Sequence, residues 1–185
     1  EYIPFKNIFP FLETIAPIGD IQPGREYILF RLNPALLERP VRASAQPANF
    51  GVLICFEDLF PELSREYVKR GASFLVNITN DAWYKEGSAP YQHFAASVFR
   101  SVENRVYLAR CANTGISGFI DPAGRILGVV RNAQGKEIFV QGYNSQSICL
   151  AVGKRTIYNR YGDFFIVLCL LLNTGVIILT LMKRK

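Results

Sequence analysis

A chain of 185 residues is long enough for one sizeable core, and its length argues for one domain rather than two. The formal net charge of +6 divides evenly, with +3 over residues 1–163 and +3 in the terminal Lys183, Arg184 and Lys185, so the folded part is only mildly basic and makes no case for nucleic acid. The four cysteines (Cys55, Cys111, Cys149, Cys169) lack paired spacing and the single histidine, His93, cannot complete a Cys/His zinc set, which argues against disulfide, metal and cofactor frameworks.

The chain opens on Glu1 with no basic-then-apolar leader, and residues 1–26 are rich in Pro and Gly, consistent with loop and a short helix near residues 7–16. "REYILFRL" (25–32) predicts a strand, and the three prolines of "NPALLERPVRASAQPAN" forbid a long regular element after it. "FGVLIC" (50–55) is a continuous apolar run of the kind buried on both faces of a sheet. "LFPELSREYVKRG" follows as a helix, with Pro61 and acids at its start and Lys69, Arg70 and Gly71 at its end. "ASFLVNIT" (72–79) is a second apolar strand, so the three elements form a βαβ unit with parallel strands.

The spacing of Phe94, Val98, Val102 and Val106 predicts a longer helix over 91–110, and "GISGFI", "DPAG" and "RILGVV" spell a hairpin. "KEIFVQGY" and "SQSICLAV" predict two further strands within a domain ending at residue 153, with a linker over 154–163. Residues 164–182, "FFIVLCLLLNTGVIILTLM", carry no charge. A helix of that length spans roughly 28 Å, close to the ~30 Å hydrocarbon core of a bilayer. The basic tail at 183–185 predicts a cytoplasmic C-terminus with the domain outside, although Lys154, Arg155 and Arg160 on the other flank oppose it; Tyr158 and Tyr161 suit the interfacial belt.

In a parallel α/β sheet, ligands collect at the carboxyl ends of the strands. Cys55 ends the first strand of the βαβ unit and "TNDAW" (79–83) ends the second, so both lie on one edge. The thiol also precedes a helix whose free N–H groups favour negative charge, which suits a nucleophile, although free cysteine also packs as a small hydrophobe. Glu57 can bind a substrate amine, orient the loop or serve as a helix-start acid. Asn80, Asp81 and Trp83 can line a pocket or form an ordinary turn. His93 reads as a helix-packing residue rather than a base, and Cys111 and Cys149 as core.

The segments "LICFEDLFP", "NITNDAWY", "PYQHF" and "NTGISGFIDPAG", in that order and spacing, resemble the nitrilase (carbon–nitrogen hydrolase) superfamily, and more closely the bacterial apolipoprotein N-acyltransferase family. The opening "EYIPF" resembles the end of that family's K-x-x-L-V-P-F-G-E-Y-x-P segment. The resemblance implies an α/β fold, a four-layer αββα sandwich outside the cytoplasmic membrane, of which this chain holds part. It implies a Glu–Lys–Cys triad that moves an acyl chain from a phospholipid, through a cysteine thioester, to the α-amine of an apolipoprotein's diacylglyceryl-cysteine. Cys55 matches the nucleophile, Glu1 the Glu of "G-E-Y", Glu57 the Glu two places after the nucleophile, and Trp83 an aromatic near the acyl site. The triad Lys and Glu belong ahead of Glu1, so the chain corresponds to a C-terminal part. Phe56 stands where the family usually has Tyr, and Tyr84-Lys85 where it has Phe-Gly. Two rival readings share the fold: a membrane-tethered amidase or nitrilase that uses water as acceptor, and a non-catalytic membrane-anchored binding domain.

Overall fold

The computed structural model describes residues 24–32, 48–148, 150 and 155–183. Six strands lie side by side in chain order: β1 (Phe30–Leu32), β2 (Ala48–Ile54), β3 (Phe74–Asn80), β4 (Tyr107–Asn113), β5 (Gly118–Ile120) and β6 (Ile126–Val129). β2, β3 and β4 are parallel, with Leu53 opposite Asn77 and Asn77 opposite Arg110, while β1, β5 and β6 pair antiparallel at the margins. Two helices, α1 (Pro61–Lys69) and α2 (Ala89–Asn104), make the parallel crossovers. α1 has the expected composition, with Pro61 in its first turn, Glu62 near the positive end and Lys69 near the negative end.

Alternation along the strands sorts side chains onto two unlike faces. Leu53, Leu75 and Leu108 turn toward the helices and join Val68, Phe94, Val106, Ile116 and Ile120 in one core. Each fully buried leucine contributes about 1.5–3 kcal/mol. The opposite face carries Phe50, Val52 and Ile54 on β2, and Phe74, Val76 and Ile78 on β3. Phe30, Phe50 and Phe74 stack in a ladder across three strands, at 5.4 and 5.0 Å between ring centroids. Phe30, Ile54 and Ile78 on this face are exposed. One sheet and one helix layer are thus present, half of an αββα arrangement, with the second apolar face of the sheet open among the described residues.

Several expectations change. The expected strand over 25–32 is regular only at Phe30–Leu32. The helix expected over 91–110 stops at Asn104, where Arg105 turns left-handed (φ +55°), and residues 107–110 enter β4. The four-residue spacing ran across this boundary because Val106 is buried in the same core as Phe94. No strand forms among described residues 136–148, because Phe139 takes φ +54° and gives its N–H to the Thr114 carbonyl, breaking the extended path. Cys111 is exposed rather than core, since it shares the open face with Ile78, its partner in the register. Cys149 and the helix expected near 7–16 lie outside the described residues.

The stretch expected as linker contains a short helix, α3 (Ile157–Tyr161), fastened to the domain. Thr156 caps it, accepting from the Asn159 N–H, and donates to the Glu103 carbonyl. The fully buried Asn159 amide donates to Asn104 Oδ1 at 2.7 Å and to the Arg65 carbonyl at 3.3 Å. Arg65 answers with bonds to the Asn159 and Arg160 carbonyls at 2.9 and 3.1 Å. Gly162 (φ +63°) lies under the Arg65 guanidinium, where a Cβ would sit 3.1 Å from Nη1. Two residues later α4 (Phe164–Met182) begins, 19 residues with a mean hydropathy of 2.6 over its apolar window and none of that window buried. A core helix would be covered, and this one is not. Its Asn173, Thr174 and Thr180 side chains each donate to a carbonyl four residues back, which gives these donors a partner within the helix.

Replacing Asn159 by Ala removes the buried amide that joins α3 to both crossover helices. The expected cost is about 1–3 kcal/mol of local stability. Limited proteolysis should cut faster after Arg160, while amide protection of Leu75 and Leu108 stays near wild type; unchanged cleavage would count against the fastening.

Candidate active site

The parallel strands converge at their carboxyl ends, and three turns leave this edge together. After β2 the chain enters a 3₁₀ turn, Cys55–Leu59. Cys55 itself has φ +51°, a left-handed conformation that costs a non-glycine residue about 1–3 kcal/mol. The expected placement at the N-terminus of a helix is therefore corrected: the 3₁₀ turn intervenes, and α1 begins only at Pro61. The half-buried thiol is presented by a tight elbow rather than by the helix field. Glu57 fastens this elbow, accepting the Ile54 N–H at 2.7 Å from the third position of the 3₁₀ turn, as an acid at a helix start does.

After β3 comes the second turn. Asn80 accepts from the Ala82 N–H at 3.2 Å and from the Asn113 amide at 3.1 Å, tying the ends of β3 and β4. Trp83 lies in the following 3₁₀ turn (Ala82–Tyr84) and is 80% exposed. Phe56 and Tyr84 bring the two turns into contact, their ring centroids 6.0 Å apart, and the Phe56 ring is 5.0 Å from that of His93. Cys55, Glu57, Asn80 and Trp83 therefore share one sheet edge. Glu1 lies outside the described residues.

Beneath this edge sits a buried ionic cluster. Asp58, three residues after Cys55, and Asp81, at the end of β3, are both fully buried. His93 on α2 bridges them, with Nε2 2.8 Å from Asp58 Oδ1 and Nδ1 2.9 Å from Asp81 Oδ1. Arg110 on β4 bridges them again, donating from Nη1 to Asp58 Oδ2 at 2.7 Å and from Nη2 to Asp81 Oδ2 at 3.2 Å. Ser97 donates to Asp58 at 2.5 Å and Thr79 to Asp81 at 3.1 Å. Asn77 accepts from Arg110 at 2.6 Å and donates to the carbonyls of Leu53 (3.2 Å) and Cys55 (3.1 Å). Gly115 closes the third turn over this cluster, where any Cβ would fall 2.1 Å from Asp81 Oδ2.

Two buried carboxylates and one guanidinium leave a single uncompensated negative charge, which a protonated His93 cancels. Burial alone would lower the His93 pKa, but its hydrogen bonds to Asp58 and Asp81 outweigh that and lift it to about 9. Burial likewise works against the Asp81 carboxylate, yet the bond from His93 and the charge of Arg110 hold its pKa below the usual value. Sequence reasoning missed this cluster, treating His93 as packing and assigning Arg110 to a helix. The available signal was a charge inside each of two apolar runs, since a buried charge must be paired. Among the described residues no group of His, Cys, Asp and Glu is arranged to hold a metal ion.

His93 carries its proton to about pH 9 in the folded chain, against 6.5 when unfolded. Its stabilising contribution is therefore complete below pH 6.5 and is lost as the pH rises through 9. Thermal midpoints measured across this window should fall for the wild type, and the slope should flatten in His93→Gln; equal slopes would contradict the assignment.

The carbon-nitrogen hydrolase family pattern matches residues 25–147. The chain is 43% identical over 170 residues to an apolipoprotein N-acyltransferase of Geobacter metallireducens, an alignment that covers 91% of this chain and 29% of that protein. It is 31% identical over 187 residues to the Thermotoga maritima apolipoprotein N-acyltransferase, covering all of this chain and 33% of that one. The chain thus spans about a third or less of the length of these curated relatives. Among solved structures it is similar to an amidase from Nesterenkonia sp., with 26% identity, a TM-score of 0.42, and coverage of 59% of this chain and 39% of that chain. The chain belongs to the carbon–nitrogen hydrolase family and is a homologue of the apolipoprotein N-acyltransferases.

Proposed function

We propose that this chain is the C-terminal part of an apolipoprotein N-acyltransferase, with Cys55 as the acyl-carrying nucleophile. The observation that carries the reading is the Cys55 elbow: a thiol held left-handed at the end of a central parallel strand, beside the Asn80–Trp83 turn. Arg105 and Phe139 are left-handed as well, so what singles out Cys55 is a half-buried thiol in that conformation at the carboxyl end of a parallel strand, where ligands of such sheets collect.

In the first half-reaction the Cys55 sulfur bonds to an ester carbonyl of a phospholipid, the ester C–O bond breaks, and the leaving alkoxide takes the thiol's proton as a lysophospholipid. In the second, the α-amine of an apolipoprotein's diacylglyceryl-cysteine attacks the thioester carbonyl, the C–S bond breaks, and the amine's proton returns to Cys55. Trp83 gives the acyl chain an apolar surface at the mouth of the site, Asn80 supports its turn, and Glu57 keeps the elbow in shape. The family resemblance supplies a role for Glu1 and places the oxyanion-holding Lys ahead of Glu1 and the base Glu earlier still. α4 anchors the domain in the cytoplasmic membrane, with the domain on the extracytoplasmic side and the basic tail inside.

In the full-length protein, the thioester should appear on the peptide containing Cys55, vanish in Cys55→Ala, and persist in Cys111→Ala. The isolated 185 residues should form none, because one missing oxyanion donor typically costs about 10²–10³ in rate and a missing base about 10²–10⁴. Mass measurement of the digested protein decides this, and a thioester that survives Cys55→Ala ends the proposal. Release of free fatty acid without amide formation would assign the fold to hydrolysis instead.

Fused to a topology reporter, residues 164–182 should insert with their C-terminal end in the cytoplasm. Lysines at both Leu170 and Leu172 should block insertion, at about 2.5–3.5 kcal/mol each. A reporter active on the outer side would reverse the orientation.

A further inference from the structure

We infer that His93 is a positioning residue for acyl transfer: by bridging Asp58 and Asp81 it fixes the Cys55 elbow against the Trp83 turn. The inference rests on the reading of Cys55 as the nucleophile.

The two carboxylates belong to different turns. Asp58 lies within the 3₁₀ turn that Cys55 opens, and Asp81 immediately precedes the turn that carries Trp83. Among the described residues these turns are joined by the Phe56–Tyr84 ring contact and by the ionic cluster below it. The imidazole at 2.8 and 2.9 Å from the two carboxylates is therefore one of two side chains that bridge them. Arg110 makes the same link from the β4 side, and through Asn77 it reaches the Cys55 carbonyl itself. The nucleophile's backbone is thus two hydrogen bonds from the guanidinium.

Stability alone is a poor account of this arrangement. Desolvating two carboxylates, a guanidinium and an imidazolium is costly, and apolar residues of similar volume often stabilise a core as well or better. What ions offer that apolar groups do not is direction, because each hydrogen bond has a narrow range of length and angle. Such direction matters at a nucleophile, where a 1 Å displacement can lower a rate about 100-fold. The charged and titratable groups facing His93 are Asp58 in the elbow, Asp81 after β3 and Arg110 on β4, with Arg100 of α2 beyond Asp58, donating to its carbonyl. Phe56 and Tyr84 close the cluster from above.

The imidazolium donates to both carboxylates. A glutamine at position 93 donates to one and turns its oxygen toward the other, leaving a net negative charge. Adding Asp81→Asn removes that charge and supplies an amide donor to the glutamine oxygen, so the pair restores neutrality and both links with different atoms.

The test uses the full-length protein with vesicles of a single synthetic diacyl phospholipid, following single-turnover thioester formation on the Cys55 peptide by mass. His93→Gln should lower the acylation rate about 10–100-fold while the phospholipid concentration for half-maximal rate stays within about twofold. His93→Gln/Asp81→Asn should recover most of the loss. All rates are compared below the lowest thermal midpoint, so a merely stabilising histidine would leave them unchanged. Should His93→Gln not fold, Ser97→Ala, which strips one bond from Asp58, should still lower the acylation rate several-fold at constant half-saturation. A wild-type acylation rate in His93→Gln, or in Ser97→Ala where that variant is used, overturns the inference. So does a folded double variant no faster than His93→Gln. Loss of the thioester in Cys55→Ala alongside such a result would leave the nucleophile standing and remove only the role of His93, whereas a thioester surviving Cys55→Ala would remove the nucleophile first.

Discussion

The bridge that Arg110 makes between Asp58 and Asp81, one N–H to each carboxylate, is the constraint around which the sheet edge is organised. Arg110 stands on β4, where sheet, elbow and α2 meet, with its side chain fully buried. A guanidinium there requires two acceptors in its own plane, and the two available backbone segments must bend to provide them. The turn after β2 and the turn after β3 are shaped by that demand. Gly115 follows from it as well, because the Asp81 carboxylate occupies the space that a side chain on the third turn would need. A hydrocarbon core of Leu53, Leu75 and Leu108 holds the sheet to its helices, but it has no means of choosing one turn geometry over another. The polar cluster makes that choice.

The parallel centre of the fold was legible in the sequence for a simple reason. Short apolar runs with turn residues at both ends suit the inner strands of a sheet, and a Pro-led, Lys-ended helix between two of them leaves the parallel crossover as the natural connection. The expected burial on both faces is met on the helix side only, with Ile54 and Ile78 exposed on the other. The Cys55 and Asn80–Trp83 edge followed from that topology. The failures share a cause too. Val106 is buried whether the chain is helical or extended, so its spacing could not mark where α2 stops; the left-handed Arg105 does that. The expected strands after residue 136 alternate well enough on paper, but Phe139 is committed to Thr114, a contact more than twenty residues away that local pattern does not reveal. Cys111 was misjudged because burial in a half-sandwich depends on which face is covered, and sequence periodicity does not distinguish the two faces.

The site was half legible. Residue types and their order pointed to Cys55, Glu57, Asn80 and Trp83, and all four meet at one edge. The supporting cluster stayed hidden because its members come from four separate elements, and none forms a motif with another in sequence. Asp58 was visible only as a neighbour of Glu57, and His93 only as a lone histidine on an apolar helix. Their partnership is a product of the fold, with separations in the chain of 35 residues for Asp58–His93 and 52 for Asp58–Arg110.

The fastening of α3 has a mechanical consequence. Between the buried Asn159 and the first turn of α4 the chain retains only Arg160, Tyr161, Gly162 and Asp163, and Arg65 grips that stretch through the carbonyls of Asn159 and Arg160. The same Arg65 belongs to α1, the helix that follows the Cys55 elbow. A tilt of α4 therefore has a short pivot, and the hydrogen bonds nearest to that pivot lead to α1. With α4 in a bilayer, the height of the thiol above the lipid would be set by this fastening, as a tool is set by its holder, and a thicker or thinner membrane would move the sheet edge as one piece.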